Sequence, residues 1–252
     1  MLWFKWWLDT RFWFLLAVAM LAAQVLALYV SYPMDPQTSY PAGALGVLPA
    51  EMGRLRGDDF RGYVWVRWFS TTMLLMWPVY VFALAGTGFE RAAGREYLLS
   101  LPVSRRRIIA TRLAVVLTQI AAFTLLPSML LSAMAPLRGQ HYPVADAVVH
   151  SGILFVAGLG LFGLTIVLRT MLADAAAYTA AAALVGLVGL FTFIVDDFTP
   201  YSIFRLMNGA EYFFNHRVPW SGLAVSATMG MAFIWLSMRI VEARDYVEAR
   251  DY

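Results

Sequence analysis

Residues 90–112 (ERAAGREYLLSLPVSRRRIIATR) hold six arginines and two glutamates, while the runs on either side, 68–89 and 113–137, hold no charge at all. Each flank is long enough to cross a bilayer as a helix, which takes about 20 residues. A charge cluster of this density cannot lie in hydrocarbon, so it must be a polar loop on one side of a membrane, tied to a span at each end. The chain as a whole fits that constraint. It is 61% hydrophobic and 14% charged, against about 25% charged in a soluble domain. Several of its apolar runs reach the spanning length, which defines an integral membrane protein.

Hydropathy and breakers divide the chain into six expected spans, near 12–30, 64–89, 113–134, 148–168, 175–195 and 220–238. Residues 1–11 place Trp3, Trp6 and Trp7 beside Phe4 and Leu8, with Lys5 and Asp9 four apart as a narrow polar stripe. Tryptophan favours the headgroup level, so this segment is expected as a retained interfacial helix. Prolines mark the loop over 31–62. Pro78 and Pro127 fall inside the second and third spans, where proline kinks a helix and frees a carbonyl. The fourth span carries Gly152, Gly158, Gly160 and Gly163, and the fifth begins alanine-rich. Small residues at helical spacing let helices approach closely, within one chain or between two copies. The 196–218 loop is dense in aromatics and is expected as short interfacial helices. The tail, 239–252, repeats EARDY.

Six spans put both ends on one side. With the amino terminus inside, twelve of the nineteen Lys and Arg residues lie on the inner segments. That bias places the termini and the 90–112 loop in the cytoplasm.

Residue usage excludes several functions. Lys5 is the only lysine, so no Walker A phosphate loop exists and any ATP that drives the protein is bound elsewhere. The absence of cysteine removes disulfides, thiolate metal sites and cysteine nucleophiles. An intramembrane enzyme would have to use His141, His150 or His216, yet there is no HExxH, no GxSxG and no buried carboxylate pair. A structural role for His150 fits better. An ion-driven transporter keeps ionisable groups at mid-membrane, but the span interiors hold only Gln24, Gln119 and hydroxyls. Either glutamine needs a partner that lipid does not supply, in a helix contact or along a substrate pathway.

Within the charged loop, a helix from Glu90 would align Ala93, Tyr97 and Leu101 on one face and end before Pro102. Ser104 then caps a second helix continuing into the third span. Arg105, Arg106 and Arg107 would occupy its first turn, where cations cost about 0.3–1 kcal/mol each. Helix stability does not explain them; either they fix topology and touch anionic lipid headgroups, or they serve a function of the loop.

The run FERAAGREYLLSLPVSRRRIIATR resembles the first cytoplasmic loop of ABC-2 type ABC-transporter permeases, a match of about 23 residues. The six-span layout, interfacial start and aromatic loop agree more loosely. The resemblance implies an all-α permease with six transmembrane helices, an N-terminal interfacial helix and a cytoplasmic coupling helix over 90–101. It also implies that this helix docks on a separate ATPase subunit. The coupling residues would be Glu90, Arg91, Gly94, Arg95, Glu96, Tyr97, Leu98, Leu99, Pro102, Ser104 and Arg105; Tyr97 departs from the threonine or leucine common in the family. The chain itself is expected to bind no cofactor or metal, with ATP and Mg held by the partner. A permease homodimer or pseudo-symmetric heterodimer, membrane lipids, no nucleic acid, and a bacterial inner membrane complete the expectation.

Overall fold

The computed structural model describes residues 2–32, 59–85, 104–172 and 202–243, together with 179, 180, 182, 183 and 186. Among these residues the fold is all-α with no strand, and four helices are long and apolar enough to cross a membrane. Most of the fifth expected span and most of the 90–112 loop lie outside the described residues.

Helix α1 is Leu2–Ser31, a single helix of 30 residues. The expected interfacial segment and first span are therefore continuous, because nothing between them breaks a helix: no proline or glycine occurs from residue 2 to 31. Its buried residues Trp6, Thr10, Phe14, Leu21, Val25 and Leu28 follow helical spacing.

Helix α2 is continuous through three segments, Phe60–Val64, a π-helical stretch Trp65–Met73, and Leu74–Ala85, with right-handed helical angles at both junctions. Asp59 starts it by accepting the Arg61 N–H at 3.0 Å. In the wide turns, Thr71 and Thr72 donate their hydroxyls to the carbonyls of Val66 and Arg67, five residues back, at 2.9 and 2.8 Å. Trp65, Trp68, Phe69, Met73, Leu74, Trp77 and Leu84 are all buried, so α2 is the centre of the described bundle.

Helix α3 is Arg105–Met134, extended by a 3₁₀ turn over Ala135–Arg138. It starts as the sequence predicts: the Ser104 hydroxyl accepts the Arg107 N–H. Pro127 sits inside it. Close by, the Thr124 carbonyl accepts from the hydroxyls of Ser128 at 3.1 Å and of Ser151 on the next helix at 3.0 Å. Ser128 in turn accepts from the Trp68 indole of α2 at 3.2 Å. Hydroxyls near a membrane proline thus become the links between three helices.

Helix α4 is Val144–Met171, α5 is Ile203–Met207, α6 is Ala210–Asn215 and α7 is Trp220–Ala243. Helices α1 and α3 run parallel. Trp6 packs against Ile108 and Val115 at one end, and Arg138 reaches the Val30 carbonyl and the Tyr29 ring at the other. Helices α4 and α7 also run parallel to each other, pairing Gly160 with Ser226 and Gly163 with Gly230. Residues 2 and 243 accordingly share the end at which α2 finishes and α3 begins.

The α4–α7 contact shows what the glycines of the fourth span do. A Cβ built on Gly163 would lie 2.6 Å from the Gly230 carbonyl oxygen, and one on Gly230 would lie 2.5 Å from that of Leu159. Gly158 makes the slot for the Trp77 ring, and Gly160 donates its N–H to Ser226 Oγ at 3.3 Å. Ser226 also donates to the Ala157 carbonyl at 2.6 Å. Such interhelical hydrogen bonds average only about 0.6 kcal/mol each in a membrane, so close backbone packing carries this contact. The small residues of α4 therefore serve contacts within the chain.

Gly230→Val forces two backbones apart, and overpacking of this kind costs about 1–3 kcal/mol. Thermal unfolding of the detergent-solubilised protein should show that loss for Gly163→Val and Gly230→Val. Gly152→Ala, where nothing lies within 4 Å, should leave the transition unchanged. Equal behaviour of all three would remove the packing explanation.

Candidate functional site

Of the expected coupling residues, Glu90, Arg91, Gly94, Arg95, Glu96, Tyr97, Leu98, Leu99 and Pro102 lie outside the described residues. Ser104 is exposed at the start of α3 and Arg105 is its first residue, followed by Arg106 and Arg107, both exposed. The loop lies between α2, described as far as Ala85, and α3, which starts at Arg105.

The two intramembrane glutamines have different surroundings. Gln119 is 1% exposed, and its Nε2 donates to Thr10 Oγ1 at 2.7 Å, tying α3 to α1. Thr10 passes its own hydroxyl proton to the Trp6 carbonyl one turn back. Gln24 is half-buried, and its Oε1 is shielded from solvent with no hydrogen-bond partner.

Among the described residues the densest polar cluster lies at the opposite end of the bundle, and the sequence reading did not anticipate it. Asp146 sits in the first turn of α4, where the helix dipole favours an anion. One of its carboxylate oxygens takes the Arg61 Nε at 2.6 Å and the other accepts the Tyr212 hydroxyl at 3.1 Å. Its backbone carbonyl accepts His150 Nδ1–H at 2.9 Å, which fixes the tautomer because a carbonyl can only accept. Burial, and then the neighbouring carboxylate to which it donates, raise the Tyr212 phenol above its ordinary range. It therefore keeps its proton and remains a donor.

Aromatic rings surround this knot. The Arg61 guanidinium lies 5.0 Å from the Phe213 ring centre, and Phe213 stacks on Trp65 at 4.6 Å. The Trp65 indole donates to the Asn208 carbonyl at 2.9 Å, while the Asn208 side chain accepts the Ala210 N–H to start α6. His150 stacks on Phe69 and meets Tyr212 edge-on. Gly209, at φ +67°, makes the turn between α5 and α6 with the His150 ring against it. Only glycine suits both demands, a left-handed backbone and no side chain beside the ring. The knot fastens the short helices α5 and α6 onto the starts of α2 and α4. His150 has a structural place in it.

An all-helical chain with four described spans, glycine-packed helices and a charged loop between two of its helices is a multi-pass membrane protein. The sequence model of a family described as ABC-2 family transporter protein matches residues 57–241, from just before α2 to near the end of α7. The chain belongs to the ABC-2 transporter family. Comparison with curated proteins and with solved structures gave no match.

The Arg61–Asp146 pair is asymmetric, with the acid 10% and the base 25% exposed. Arg61→Met strands a buried carboxylate and should cost about 3 kcal/mol of unfolding free energy. Arg61→Met with Asp146→Leu should recover most of that loss, since no charge is left to strand. Tyr212→Phe should cost about 1 kcal/mol. Unfolding of the purified protein, followed by tryptophan fluorescence, measures all three, and a double variant as unstable as the single one would contradict the pairing.

Proposed function

We propose that this chain is the membrane-spanning, non-catalytic subunit of an ATP-binding cassette transporter of the ABC-2 type. In this reading it works as a dimer of permeases with two separate ATPase subunits, which hold the ATP and Mg. The substrate is exported across a bacterial inner membrane, with both termini and the 90–112 loop in the cytoplasm. The observation that carries the reading is the family match over residues 57–241, which includes the arginine-rich loop.

The geometry supports a lever at that loop. Helices α2 and α3 bracket residues 86–103, and both are long and packed into the core. A motor that displaces the loop displaces the ends of two buried helices together. Coupling needs the loop to contact the motor differently in its nucleotide-bound and nucleotide-free states, because only differential binding shifts an equilibrium. Glu90, Arg91, Gly94, Arg95, Glu96, Tyr97, Leu98 and Leu99 are the residues assigned to that contact, with Pro102, Ser104 and Arg105 fixing the turn into α3.

The test is recovery of an ATP-hydrolysing subunit with the tagged chain from native membranes. Gly94→Trp and Glu96→Arg should reduce that recovery at least tenfold and abolish transport, with membrane insertion unchanged; wild-type recovery in both would refute the docking assignment. Orientation is checked independently, since the chain has no native cysteine. Thr38→Cys should react with an impermeant maleimide from outside and Ser104→Cys only from inside.

A further inference from the structure

We propose that a groove between α4, α7 and the short helices holds one anionic phospholipid of the leaflet at the α5–α6 end of the bundle. The groove encloses about 960 Å³, is open along one side, and is mostly apolar among its described lining residues. Its long wall is α7 from Trp220 to Phe233, with Val225 and Met229 between them. Fourteen residues of helix rise about 20 Å. That matches one leaflet of a hydrocarbon core about 30 Å thick, plus the headgroup level.

The polarity of the groove is graded along this length. Phe233 and Met229 line the deep end, whereas Arg205, Glu211 and Arg217 lie at the mouth beside Trp220, which is 75% exposed. Tryptophan marks the membrane–water boundary, so the charged mouth sits where headgroups sit. Among the described residues the mouth carries two guanidiniums and one carboxylate, and the exposed Arg217 can pair with a phosphate through parallel N–H donors. A sideways-open apolar groove in a bilayer is filled by acyl chain, and the charge at its mouth selects the headgroup. Val225 and Met229 are 60% and 49% exposed along the same wall, so an acyl chain can enter laterally.

The site does not depend on the transport reading, because binding is measured on the purified chain without nucleotide or partner. Native mass spectrometry with added phosphatidylglycerol or phosphatidylcholine reads it. Wild type should retain one phosphatidylglycerol per chain and bind phosphatidylcholine about tenfold more weakly, the size of one charge-assisted contact. Arg217→Glu should bring phosphatidylglycerol down to the phosphatidylcholine level. Val225→Trp, which fills the groove, should lower retention of both lipids at least tenfold. Both positions are exposed, so the unfolding transitions of these variants should match wild type. Equal retention of the two lipids by wild type overturns the proposal, as does phosphatidylglycerol retention unaltered by either variant. A disulfide-linked dimer formed by Val225→Cys in native membranes also overturns it, by placing a second copy in the groove.

Discussion

Helices in a bilayer gain little by exchanging lipid for another leucine, so their association depends on how closely the backbones can approach. Here that constraint is met at the α4–α7 crossing, where Gly163 and Gly230 let carbonyl groups lie against Cα atoms. The remaining arrangement follows from this pair. With α7 held against one side of α4, the slot at Gly158 faces α2 and admits Trp77. The hydroxyls of α3 then meet Trp68 and Ser151. A bundle assembled in this way has few adjustable distances, since its glycine contacts are set by the absence of a Cβ and the others by hydrogen-bond length.

Its two ends have different chemistry. At the α5–α6 end, a buried acid, an arginine, a phenol and an imidazole are joined through Asp146 and enclosed by aromatic rings. At the other end, α2 is described as far as Ala85 and α3 starts at Arg105, with Arg106 and Arg107 exposed. Breaking one partner of a buried charge pair costs several kcal/mol, whereas exposed arginines at a helix start cost only tenths to about one.

Much of this was legible where it is local. The apolar runs containing α3, α4 and α7 announce themselves by length, and Ser104 is readable as a cap because the serine and the N–H it accepts are three residues apart. The small residues of α4 are visible in the sequence, but their partner is not, since nothing in that span points to Gly230. The same applies more strongly to Arg61 and Asp146, 85 positions apart, each of which reads as an ordinary loop charge. The π-helical stretch of α2 was not foreseen, because no composition distinguishes it from an α-helical run of aromatics and threonines. The separation of residues 1–11 from the first span followed from tryptophan's interfacial preference, a property of position in the bilayer and not a reason for the backbone to stop being helical. Most of the charged loop, residues 90–103, lies outside the described residues, and its signature is carried by the sequence.

The unbroken α1 has a consequence for how the protein sits in its membrane. Thirty helical residues make a rod about 45 Å long, and the hydrocarbon layer takes up only about 30 Å of it. The excess equals about ten residues at 1.5 Å each, the length of the tryptophan-rich start. Either the rod leans or that stretch stands among the phosphates, and the indoles favour the second outcome. The first helix then works as a depth gauge: a thicker bilayer would swallow the tryptophans and a thinner one would strand them in water.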